Sequence, residues 1–70
     1  MLKNYTALIH KEENIYVSLC PELDVASQGS TIEEAKQNLK EAIDLFMAHS
    51  SEEEKKRRIH SDIFVTTISA

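Results

Sequence analysis

Residues 20 to 35 read CPELDVASQGSTIEEA, and this stretch decides where strands stop and helix begins. Cys20 closes an apolar run, and Pro21, which has no amide to give to a central ladder, ends it. After Glu22, Leu23 and Asp24, the segment Val25 to Gln28 reads as a short third strand. Gly29 is the only glycine, so it is expected to supply positive φ for a sharp change of direction. Thr31 and Glu34 then form a T-x-x-E capping box. The Thr31 hydroxyl should accept the Glu34 amide while the Glu34 carboxylate reaches back to the Thr31 amide. The stretch is therefore mostly architecture, with Pro21, Gly29, Thr31 and Glu34 in structural roles. Glu22, Leu23, Asp24 and Gln28 are left as exposed residues suited to contact rather than catalysis.

The same logic extends in both directions. Leu2 to His10 alternates Tyr5, Ala7 and Ile9 against Thr6, Leu8 and His10 and reads as a first strand. Lys11 to Asn14 is a polar turn, and Ile15 to Cys20 is the second strand of a hairpin. Behind the capping box, Ile32, Ala35, Leu39, Ala42, Ile43, Phe46 and Met47 share one helical stripe, with Leu45 to its side. Ser50 or Ser51 caps a second, shorter helix whose Glu52–Lys56, Glu53–Arg57 and Glu54–Arg58 pairs are spaced i,i+4 with the acid first. Asp62 to Ser69 is dense in β-branched residues and reads as a last strand. The order is β-β-β-α-(short α)-β, an α+β fold in which an antiparallel sheet carries helices on one face. Nothing remains to cover the other face, yet apolar side chains point both ways: Ile15, Val17 and Leu19 oppose Tyr16 and Cys20. Such a patch marks a protein contact.

Seventy residues make one domain, 1–70, whose core is small. One cysteine rules out an intrachain disulfide, and a lone thiol with no apolar N-terminal run predicts a cytoplasmic protein away from the membrane. The formal charge of −4 opposes direct nucleic-acid binding. The basic run Lys55 to Arg58 follows the acidic Glu52 to Glu54 directly and reads as a solvated helix face or a charged contact. His10, His49 and His60 fall in separate elements without metal-ligand spacing, and Cys20 has no neighbouring histidine and reads as a buried structural thiol. Ser27, Ser30 and Thr31 around one glycine, with no lysine, suit capping better than a phosphate cradle. No catalytic residue, metal or cofactor is expected, and the chain is not read as an enzyme.

Tyr5 to Ala7, Cys20 to Leu23, Ser27 to Gly29, Thr31 to Ala35 and Asn38 to Ile43 together resemble the HicB-like antitoxin family. In its short members, formerly grouped as uncharacterised UPF0150-type proteins, a closing strand similar to residues 60–70 follows. The chain departs from the pattern at Glu13-Asn14, where Asp-Gly is usual, and at Leu23 to Ala26, where Leu-Pro-Gly-Cys is frequent. The resemblance implies a partial double-stranded-RNA-binding-domain-like fold and a single antitoxin domain without a C-terminal DNA-binding domain. It implies binding and masking of a small basic HicA-type toxin that cleaves mRNA, with catalytic residues in the toxin. A homodimer or higher homo-oligomer is expected when the toxin is absent. Contact is expected through Glu22, Leu23, Asp24 and Gln28, with Glu52, Glu53 and Glu54 as a second candidate. Alternative readings are a solitary binding module of the same fold without a toxin, and a weak RNA-binding domain.

Overall fold

The computed structural model describes residues 4–70. The start expected for the first strand, at Leu2, lies outside them, and residues 4–7, expected in the same strand, do not pair, so the strand begins only at Leu8. Three strands form, β1 (Leu8–Glu12), β2 (Ile15–Cys20) and β3 (Val25–Gly29), followed by α1 (Ile32–His49) and α2 (Glu52–Arg58). The sheet is antiparallel throughout, in the order β1-β2-β3 with β2 in the centre. It is an α+β fold in which sheet precedes helices.

The first hairpin is tighter than its polar composition suggests. Lys11 and Glu12 stay in the ladder, paired with Tyr16 and Ile15, so the loop is only Glu13 and Asn14. Glu13 takes a left-handed φ of 54°, the kind of position a two-residue turn requires and that glycine fills at least cost. Asp24, in the β2–β3 connection, has φ 55°. These two residues, and not Gly29, carry the positive φ of the described chain. Gly29 is needed for a different reason. A Cβ there would lie 2.6 Å from the Ala35 nitrogen and 2.8 Å from the Glu34 carbonyl carbon, so its bare backbone lets β3 meet the start of α1.

Thr31 caps α1 as expected, accepting the Glu34 amide at 3.0 Å. The return bond shifts by one residue: the Glu34 carboxylate accepts the Ser30 amide at 2.8 Å rather than that of Thr31. Ser51, not Ser50, caps α2, through the Glu54 amide at 3.1 Å. Of the three expected i,i+4 pairs only Glu54–Arg58 forms, at 3.9 Å, while Glu52 pairs instead with Lys55 at 3.4 Å.

Alternation along β2 sorts the sheet into two faces. Ser18 and Cys20 point at α1 and are fully buried, and the Ser18 hydroxyl donates to the Ala35 carbonyl at 2.9 Å. The core gathers Cys20, Leu23 and Leu39, with Tyr5, Val25, Ile43, Phe46 and Met47 packed around it. Ala35 is also buried, whereas Ile32, expected on the same stripe, lies past the sheet and is 52% exposed. α1 lies mainly over β3 and β2. α2 docks at the end of α1, where the Arg58 guanidinium sits 5.1 Å from the centre of the Phe46 ring. Residues 62–69 do not form the expected strand: nothing in the described chain pairs with their backbone as a ladder. Their β propensity is intact, but a strand needs an edge to bind, and the segment leaves the body without meeting one.

Candidate protein-docking face

Side chains facing away from α1 make a continuous surface. Cross-strand partners share a face, so the register places Leu8, Leu19 and Ala26 in one row and His10, Val17 and Gln28 in the next. Glu12 and Ile15 close the row at the hairpin end. No described element lies over this face. Leu8 is 39% and Ile15 37% exposed, and Val17 and Leu19 are sheltered only by their neighbours. The molecule is a slab 17 Å thick in its thinnest direction, the depth of one sheet and one helix layer. An apolar centre ringed by His10, Glu12 and Gln28 has the make-up of a protein contact surface.

Of the sequence-derived contact residues, Gln28 stands on this face, while its backbone carbonyl accepts the Asn38 side chain at 2.8 Å. Asp24 is exposed at the β2–β3 corner, and Glu52 and Glu53 are exposed on α2, with Glu54 half-buried. These acids do not adjoin the apolar rows, so they belong to a different part of the surface. Glu22 and Leu23 are not exposed, which corrects the expectation for both. Leu23 is fully buried in the core, and Glu22 is 7% exposed.

Glu22 lies past the end of β2, in the turn before β3, and turns its side chain toward the segment that leads into β1. Its carboxylate accepts the Thr6 amide at 3.0 and 2.9 Å and the Thr6 hydroxyl at 2.7 Å, with the Cys20 thiol 3.6 Å away. Burial raises the Glu22 pKa, but the Thr6 hydroxyl and the surrounding amides outweigh it and hold the carboxyl below its ordinary value. Burial pushes the Cys20 thiol up, and the Glu22 charge adds to it, so Cys20 stays a protonated core group rather than a nucleophile. The next turn of chain is held from outside. Arg58 donates through Nε to the Leu23 carbonyl at 3.2 Å and through Nη2 to the Asp24 carbonyl at 2.6 Å. The His60 amide donates to the Glu22 carbonyl at 2.6 Å. The Glu22 carboxylate and the Arg58 guanidinium thus tie the segment before β1, the β2–β3 connection and α2 together. Among the described residues no cluster of His, Cys, Asp and Glu could hold a metal ion, and no helix is long and apolar enough to cross a membrane.

Over 46 residues, 63% of the chain, the sequence is 50% identical to the UPF0150 protein ssr1765 of Synechocystis sp.. This chain is similar to a UPF0150 protein. It spans 58% of that relative's length. No protein-family model matches the chain. No solved structure matches it significantly.

Proposed function

We propose that this UPF0150-like chain is a HicB-like antitoxin that masks a small basic, mRNA-cleaving HicA-type toxin by laying its bare sheet face on it. The observation that carries the reading is that face: Leu8, Leu19, Ala26, Val17 and Ile15 lie uncovered on a chain with net charge −4. Covering apolar area drives association, and opposite net charges speed encounter and favour a basic partner over a phosphate backbone. A standard interface takes about 800 Å² from each partner, roughly a seventh of the 5559 Å² this chain exposes. Glu12 and Glu13 at the hairpin tip add negative charge to the rim of the open face.

Co-expression with a small basic protein encoded beside it tests the reading. Masking predicts rescue of growth and co-purification, and predicts that Leu8→Asp with Leu19→Asp abolishes both while circular dichroism stays unchanged. Growth arrest without rescue and without a complex contradicts it.

A further inference from the structure

Residues 62–69 read DIFVTTIS, with six consecutive strand formers from Ile63 to Ile68. They run outward unpaired, leaving Phe64 88%, Val65 68% and Ile68 87% exposed. An isolated extended run of this kind cannot offset its ordering entropy in water, so it needs an edge to add to. The sheet has two free edges because β2 is central. α1 lies mainly over β3 and β2, which leaves the flank beside β1 open. There residues 4–7, which lead into β1, and the side of α1 enclose a groove of about 330 Å³, lined by Tyr5, Ala7, Leu39 and Ile43, with Lys36 and the Lys40–Asp44 pair on its helix rim. The groove has an apolar floor, and the free edge of β1 begins at Leu8, next to its Ala7 wall.

Within one chain this edge stays empty. The His60 amide is bound to the Glu22 carbonyl, and beyond the half-buried Ile63 the tail carries Phe64, Val65 and Ile68 into solvent. A second copy presents the same empty edge and the same unpaired tail. We propose that residues 62–69 form a fourth strand in trans, adding to the β1 edge of a second copy and seating alternate side chains in the groove beside α1. The exchange is reciprocal, so one twofold axis satisfies both tails and closes the assembly. Main-chain bonds to the edge supply affinity and the groove supplies register, the logic of strand addition. This assembly involves no toxin and leaves the outer sheet face free, so its test is separate from that of masking.

Sedimentation equilibrium of the full chain should give a dimer of about 16 kDa, twice the 8.0 kDa of one copy. Val65→Pro, which removes a strand donor, and Phe64→Ser with Ile68→Ser, which remove the groove-filling groups, should each return it to a monomer with unchanged helical dichroism. In a mixture of isotope-labelled and unlabelled chains, amides 63–68 should show cross-strand contacts to β1 of the other copy. A monomeric wild type, a dimer indifferent to both variants, or tail contacts confined to the tail's own chain would each overturn the proposal.

Discussion

Replacing Glu22 by alanine should unfold a large fraction of the stability of this small domain, although the residue looks like a loop charge in the sequence. The carboxylate is 7% exposed and takes the Thr6 amide and hydroxyl at 2.7 to 3.0 Å. Hydrogen bonds to a charged group contribute about 1.5–3 kcal/mol each, and truncation would leave the Thr6 donors unpaired. Relief of the carboxylate's own desolvation offsets part of this, leaving a net loss of about 2–4 kcal/mol. Seventy residues support a total of roughly 4–10 kcal/mol. At about 4–8 °C per kcal/mol, the midpoint should fall by roughly 8–32 °C. Thermal melts followed by far-ultraviolet dichroism measure the shift, and urea melts the free energy. Thr6→Val, which keeps the amide and removes the hydroxyl, should lose only about 1 kcal/mol. The pH dependence gives an independent arm. The Glu22 pKa is lowered on folding, so in the window between the folded and unfolded values the unfolded state binds more protons and stability rises with pH. The contribution is therefore complete above the ordinary glutamate value of 4.5 and is lost as pH falls through the lower folded value. Glu22→Gln should flatten that acid limb. An alanine variant within about 0.5 kcal/mol of wild type, the range of an ordinary surface change, would refute the reasoning.

Gly29→Ala should destabilise by about 1–3 kcal/mol, because its Cβ would meet the Ala35 nitrogen at 2.6 Å and backbone has to move; thermal melts check it. Glu13→Gly should raise stability by about 0.5–1 kcal/mol by relieving a left-handed φ of 54° at the hairpin tip. Arg58→Ala should release α2 from the Leu23 and Asp24 carbonyls, seen as faster amide exchange over residues 52–58 while the sheet stays protected. Arg58→Lys should not restore it, since one ammonium cannot reproduce the two-pronged donation and the approach to Phe46.

The succession of three strands and two helices along the chain, the hairpin, the α1 stripe from Ala35 to Met47 and its Thr31 cap were legible because period and capping chemistry are local. The bare sheet face was legible too, since apolar residues on both parities of β2 cannot be covered by helices on one side. What was not legible depends on contacts across the chain. Glu22 reads as a solvated acid until Thr6, sixteen residues away, brings it two donors. Arg58 sits in a run that reads as solvated face, and nothing local says that it bridges to Leu23, thirty-five residues earlier. Gly29 was identified as essential but for φ rather than for space, because the approach of β3 to α1 exists only after folding. The tail fails as a strand for the same kind of reason. Its residues have the propensity, but an edge must come from elsewhere.

Titration calorimetry of the chain against a small basic toxin of the kind proposed as its partner, wild type beside Leu8→Asp with Leu19→Asp, probes the docking face most directly. The account predicts tight binding by wild type and a loss of at least about 100-fold, or about 2.7 kcal/mol, in the folded double variant. Equal affinities for the two chains would place the interface elsewhere and contradict it.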